Sequence, residues 1–194
     1  MSERRVLQLV LVAAIAAGVV LRARVLSTPL GTLDADEAVW GLMARHALDG
    51  ELTTFYWGQP YGGTQEVLLT AAVFAVVGSG TLALKLVPAL LFAVAAVLVW
   101  RVGIRTIGEP GARIAAALFW VWPSYSVWKS TRAHGFYGSA LVLSLLALLL
   151  VLRLRERPSR RDATLLGLVL GLGWWATPQF ALVALPAVAW LAWV

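Results

Sequence analysis

Apolar residues fall in long unbroken runs along this chain, and charged residues collect at the ends of those runs. Val6–Leu21, Leu86–Trp100, Ile114–Trp128, Phe136–Leu152 and Ala163–Val194 contain no charged side chain. Such runs approach or exceed the ~20 residues an α-helix needs to cross hydrocarbon. They predict spans at about 6–26, 80–100, 113–128, 136–152, 163–177 and 180–194, the last run dividing near Thr177-Pro178. A further run, Val67–Val77, is only eleven residues long. Runs of ~10–14 residues are more often interfacial than spanning, so 65–78 reads as an interfacial helix, with Trp57 and Tyr61 before it as interface anchors. Between the first two spans the pattern changes to helical amphipathicity over 35–48, with Val39, Leu42, Met43 and Ala47 as the apolar stripe. The expected fold is one all-α polytopic membrane domain over 1–194, with both shorter helices in a long loop at 27–79.

Composition agrees with that pattern. Of the 194 residues, 60% are hydrophobic and 13% are charged, and mean hydropathy is +0.81. A soluble domain needs more charge to cover its surface. The absence of cysteine excludes disulfides, thiolate metal sites and cysteine nucleophiles. The formal charge of +6 does not point to nucleic acid, because the basic residues flank apolar runs and act as topology signals. Arg4-Arg5 followed by an apolar run is similar to a secretory signal, but Leu21-Arg22-Ala23-Arg24 makes a poor cleavage site. The first helix therefore reads as uncleaved. The last run reaches Val194 without a polar tail, which reads as the N-terminal part of a longer protein or a truncated reading frame.

Charge also sets an orientation. Arg101, Arg105 and Arg113 form one basic cluster, and Arg153, Arg155, Arg157, Arg160 and Arg161 a second. Two apolar runs separate them, so both lie on one side, which the positive-inside rule makes cytoplasmic. With Arg4 and Arg5 on that side too, an even number of crossings must precede Arg101. This requires Val67–Val77 not to cross. The N-terminus is then cytoplasmic, the chain is a multi-pass plasma-membrane protein, and loop 27–79 is external. Lys85, near the outer end of the second span, is expected to snorkel outward. Because no charge falls near the middle of a span, an ion-coupled transporter or flippase is the less favoured class.

Polar chemistry concentrates in three external segments. Asp34-Ala35-Asp36-Glu37 opens the amphipathic helix. Asp34 can be its N-cap and Glu37 the N3 partner of a capping box. Neither bond needs Asp36. Mutual repulsion among three carboxylates is expected to raise one pKa, which suits a general base. Phe55-Tyr56-Trp57-Gly58-Gln59-Pro60-Tyr61-Gly62-Gly63-Thr64-Gln65-Glu66 interleaves aromatics, glycines and amides. It can stack on sugar faces and hydrogen-bond hydroxyls, or serve only as an interfacial belt with a turn. Lys129-Ser130-Thr131-Arg132-Ala133-His134-Gly135-Phe136-Tyr137 offers Lys129 and Arg132 to a phosphate, or to lipid headgroups as ordinary flanking charge. His134 can be a base, a phosphate donor or a metal ligand, and no partner for it is visible in the sequence.

A first helix, an external Asp36-Glu37-Ala38 opening a juxtamembrane helix, and then a hydrophobic interfacial helix together resemble the GT-C glycosyltransferases. That superfamily includes protein O-mannosyltransferases and lipid A aminoarabinose transferases. Gly58–Glu66, Leu86-Val87-Pro88 and Arg132–Tyr137 are most similar to the RgtA/B/C/D-like group. The resemblance covers the N-terminal part of that fold. It implies transfer of a sugar from a polyprenyl-phosphate carrier to a glycan, lipid or protein acceptor outside the plasma membrane. By it, Asp36 is the base, Glu37 positions Asp36 or the acceptor, and Lys129 and Arg132 stabilise the phosphate leaving group. Gln59, Tyr61, Glu66, His134 and Tyr137 complete the implied substrate site. Some relatives carry an acidic residue in the second external loop, where this chain has His134, so a divalent metal stays an open cofactor. The competing class is a non-catalytic subunit that binds the lipid carrier or assists assembly.

Overall fold

The structure is a computed structural model and describes residues 3–193; Val194, the end of the last expected span, lies outside them. Helices account for nearly all regular structure: α1 (Glu3–Leu26), α2 (Ala35–Leu48), α3 (Gln65–Val77), α4 (Thr81–Thr106), α5 (Gly108–Val121), α6 (Ser124–Lys129), α7 (Tyr137–Glu156), α8 (Arg160–Ala176) and α9 (Ala181–Ala192), with short 3-10 turns at Pro29–Gly31 and Pro178–Phe180. Among the described residues the extended pairing is a lone antiparallel bridge between Phe55 and Gly63.

Three helical stretches are long and apolar enough to cross a membrane: Gln8–Leu26, Thr81–Thr106 and Tyr137–Glu156. Two of the remaining apolar helices, α5 and α9, are shorter than the expected spans 113–128 and 180–194, and proline accounts for the first difference. The apolar run 113–128 does not form one helix. It starts early, at Gly108, and stops at Val121, because Trp122 is extended ahead of Pro123. A residue before proline is pushed out of the helical region, and α6 restarts at Ser124. α8 ends at the expected division, where Thr177 is extended before Pro178. At 14 residues, α5 is ~21 Å long. In contrast, α4 and α7 run several residues past their apolar segments, through Arg101 and Arg105 and through Arg153 and Arg155. Arginine is a good helix former, so the charge pattern marks the end of the apolar surface rather than the end of the helix.

α4 is central, packing on α5, α7 and α3, while α7 carries α8 and α9, and α1 leans on α5. A Cβ at Gly103 would sit 2.9 Å from the Ala112 Cβ, so small residues set the close approach of α4 and α5. The outward surface stays apolar. Val12 and Ile15 of α1 are 64% and 60% exposed, and Leu182 of α9 is 79% exposed. α2 buries a face rotated from the expected stripe: Glu37, Trp40, Met43 and Ala44 are buried, whereas Leu42 is 46% exposed. Trp40 decides this rotation. It offers the largest apolar surface on the helix, and its indole N–H donates to Thr70 Oγ1 of α3 at 2.9 Å. Glu37, three residues earlier, is carried inside with it.

Candidate functional site

The N-terminus of α2 carries a complete capping box. The Glu37 N–H donates to Asp34 Oδ1 at 2.9 Å, and the Asp34 N–H to Glu37 Oε2 at 3.4 Å. Glu37 does much more than cap. Fully buried, it accepts from Lys85 Nζ at 2.8 and 3.0 Å, from Arg132 Nη1 at 2.9 Å and from the Ala133 N–H at 2.9 Å. Lys85 therefore does not snorkel outward. It is 2% exposed and also donates to the Thr131 carbonyl at 3.2 Å. A buried ammonium needs a fixed counter-charge, and Glu37 supplies it across the α2–α4 contact. Through Glu37, the start of α2 is tied to the loop that follows α6.

Arg132 belongs to the same network. Beyond Glu37 it donates to the Thr32 carbonyl at 2.6 Å and lies 3.5 Å from Asp34 Oδ2. Its guanidinium is thus held by protein groups, with two carboxylates balancing Lys85 and Arg132. Asp34 Oδ2 has another partner, His134 Nε2, at 2.9 Å. His134 Nδ1 in turn lies 3.0 Å from Lys129 Nζ, and the ammonium sits 4.7 Å from the Tyr137 ring centroid. Among the described residues Lys129 has no carboxylate within salt-bridge distance. Of Lys85, Lys129 and Arg132, it is the one without an ion pair.

The segment between α2 and α3 is pinned at several points. Trp175 Nε1 donates to the Thr54 carbonyl at 2.8 Å, the Gly63 N–H to the Ala176 carbonyl at 3.1 Å, and Thr64 Oγ1 to the Thr53 carbonyl at 2.7 Å. Gly62 has φ +81° and lies against Phe136, which a Cβ would strike at 2.3 Å. Only glycine suits both the backbone and the space. These ties hold Tyr56, Gln59 and Tyr61 against the loop that carries Lys129 and His134.

An open cleft of about 280 Å³ lies between the two segments, lined by Asp36, Tyr56, Gln59, Tyr61, Lys129, His134, Gly135, Phe136 and Tyr137. Six residues expected of a site from the sequence therefore converge: Asp36, Gln59, Tyr61, Lys129, His134 and Tyr137. Glu37 and Arg132 do not reach the cleft, because each is engaged in the ion-pair network beneath it. Neither does Glu66, which lies under the floor beside a cavity of about 10 Å³ shared with Lys129, Arg132, His134 and Tyr137. Its carboxylate accepts from the Ser139 N–H at 2.6 Å, so it caps the N-terminus of α7 from another element. Sequence reasoning singled out neither Tyr56 nor Asp34 as a site residue. Tyr56 lines the cleft, and its hydroxyl donates to the Asp36 carbonyl at 2.8 Å.

Electrostatics divide the carboxyl groups. Burial pushes Asp34 up, but the bond from the Glu37 N–H, with His134 and Arg132 beside it, holds it below the ordinary value. Burial pushes Glu66 up to about 7, against the pull of the Ser139 and Gly138 bonds and the Lys129 charge. Lys129 is lowered by burial and by Arg132, although Glu66, Asp34 and Asp36 oppose the shift. Tyr56 is pushed up to about 12, by burial and then by Asp36 and Asp34, and so stays a hydrogen-bond donor.

The cleft thus sets an exposed carboxylate, Asp36, against a cation, Lys129, between tyrosine rings and one amide. It can take a polar molecule with ring faces and an anionic group. Among the described residues no group of three or more His, Asp or Glu side chains is placed to hold a metal ion. No family model matches this chain, and neither a curated protein nor a solved structure does.

Proposed function

We propose that the chain is a membrane glycosyltransferase of the GT-C kind, or the N-terminal part of one. It moves a sugar from a polyprenyl-phosphate carrier to an acceptor at the outer face of the plasma membrane. The observation that carries this reading is the convergence of Asp36, Lys129 and an aromatic–amide wall on one open cleft. The long apolar helices α1, α4 and α7 would anchor that cleft at the bilayer surface, where an isoprenoid tail can lie in lipid while its phosphate enters the site.

Each residue has a defined part. Asp36 accepts the proton of the acceptor hydroxyl as that oxygen bonds to the anomeric carbon. The bond from that carbon to the phosphate oxygen breaks, and negative charge grows on the leaving phosphate. Lys129 is the cation placed for that charge, a role worth most in a partly desolvated site. Tyr56, Tyr61 and Tyr137 offer ring faces to the sugar, and Gln59 offers both a donor and acceptors to its hydroxyls. Glu37 and Arg132 act from beneath, by fixing the start of α2 against the loop that carries Lys129. The reading is tested by incubating the protein in proteoliposomes with polyprenyl-phosphate-linked sugars and measuring release of polyprenyl phosphate. Release by the wild type and its loss in Lys129→Ala are expected. No carrier binding and no release with any sugar in the panel would overturn the reading.

A further inference from the structure

Asp34 has two tasks in the structure, and its cap accounts for only one of them. Oδ1 takes the Glu37 N–H at 2.9 Å. Oδ2 faces His134 Nε2 at 2.9 Å. An ionised carboxylate can only accept, so Nε2 must carry the proton of that bond. In the neutral ring this leaves the lone pair on Nδ1, which points at Lys129 Nζ, 3.0 Å away. An ammonium can only donate, so the bond requires that lone pair. The chain carboxylate–imidazole–ammonium therefore has one consistent proton arrangement, set by Asp34. Trp128 packs edge-on against the His134 ring, with centroids 6.1 Å apart, which restrains the ring from turning over.

We infer that Asp34 is a positioning residue of the cleft: it selects the His134 tautomer whose Nδ1 lone pair holds the Lys129 ammonium toward a bound phosphate group. The inference rests on the proposed role of Lys129. His134 is here neither a base nor a metal ligand, since both its nitrogens are engaged. A second element supports the aim of Lys129. The Tyr137 ring centroid lies 4.7 Å from the same ammonium, so the amine is held by both an imidazole and a π-face. Carboxylates orient imidazoles by the same logic in metal sites and catalytic triads, where the amide substitution gives the wrong tautomer.

Asp34→Asn separates the two tasks. Asparagine caps a helix about as well as aspartate, so α2 should keep its start. With the amide oxygen in the cap, its NH₂ faces His134 Nε2. The imidazole must then accept at Nε2 and carry its proton on Nδ1, toward an ammonium that cannot accept it. Lys129 loses its partner and leaves the Tyr137 face.

The chain contains two histidines and two lysines, His46, His134, Lys85 and Lys129, so selective ¹⁵N-histidine and ¹³C-lysine labelling gives simple NMR spectra of the full chain in detergent micelles. Spectra are taken at about pH 8, above the ordinary histidine value. The wild type should show His134 protonated at Nε2 and a Lys129 Cε signal displaced by the Tyr137 ring current. Asp34→Asn should invert the nitrogen pattern and return the Lys129 signal to an ordinary position. His134→Ala should release Lys129 in the same way, and Asp34→Asn added to it should change the Lys129 signal no further. An unchanged nitrogen pattern in Asp34→Asn, or an inverted pattern with Lys129 unmoved, overturns the inference. A binding arm with a short-chain isoprenyl phosphate should show a loss of about tenfold or more in Asp34→Asn. Failure of the wild type to bind that probe sinks the proposed role of Lys129 in transfer, while the ligand-free spectra still decide whether Asp34 positions it.

Discussion

Glu37 is the node on which the cleft depends, and truncating it gives the sharpest test of the architecture. Glu37→Ala removes the acceptor of two bonds from Lys85, one from Arg132 and one from the Ala133 N–H. Lys85 would keep only its 3.2 Å bond to the Thr131 carbonyl, with its side chain 1% exposed. Breaking a buried ion pair by removing one partner typically costs about 3–5 kcal/mol, because the remaining charge is stranded. For a chain of this size that corresponds to a fall in Tm of about 6–20 °C. Thermal unfolding in detergent micelles, followed by circular dichroism, reads it directly. The double variant Glu37→Ala/Lys85→Ala separates stranded charge from lost packing. Removing the unpaired ammonium should recover part of the loss, giving a coupling energy of about 2–3 kcal/mol. A Glu37→Ala cost under about 1 kcal/mol, or strict additivity with Lys85→Ala, would refute a buried Glu37–Lys85 pair.

Two further predictions address pH and orientation. Glu66 titrates at about 7 in the folded chain against an ordinary 4.5, so between those values the folded state holds a proton that the unfolded state has released, and stability falls as pH rises through that window by up to about 3 kcal/mol. Glu66→Gln should flatten that dependence between about pH 5 and about pH 8 in Tm measurements, and an unchanged slope would assign it elsewhere. Because the chain lacks cysteine, single cysteines at Thr54 and Ser79 can be labelled cleanly in intact cells. Both should react from outside, whereas reaction at position 79 only after permeabilisation would mean that α3 crosses the bilayer.

Local signals were the most legible part of this sequence. The bounds of α2 follow from Asp34, Glu37 and the Asp49-Gly50 stop, because capping and termination are decided within a few residues. The break at Pro123 was also written locally, but an uninterrupted apolar run hid it. The rotation of α2 was less accessible, since it depends on Thr70 of α3 accepting from Trp40. Pairings between distant residues were the least legible. Glu37 meets Lys85 across 48 positions, and Asp34 meets His134 across 100. A lysine inside an apolar helix is itself the sign of a hidden counter-charge, and the snorkelling reading of Lys85 passed over that sign. Lys129 and Arg132 look equivalent in one loop. The fold separates them, placing Lys129 at the cleft and Arg132 among carboxylates.

The proposed chemistry turns on Asp36, which the capping box does not use. Asp36→Asn keeps the shape of the side chain and loses only an exposed contact with the helix dipole, worth about 0.3–1 kcal/mol. An amide cannot take the acceptor's proton, and loss of a general base lowers rates by about 10²–10⁴. The direct measurement is carrier binding and sugar transfer by the same preparation of Asp36→Asn and wild type, in proteoliposomes with a polyprenyl-phosphate-linked sugar that the wild type turns over. The account predicts retained binding with transfer reduced at least a hundredfold; transfer at the wild-type rate in Asp36→Asn would contradict it and leave Asp36 a surface residue of the helix start.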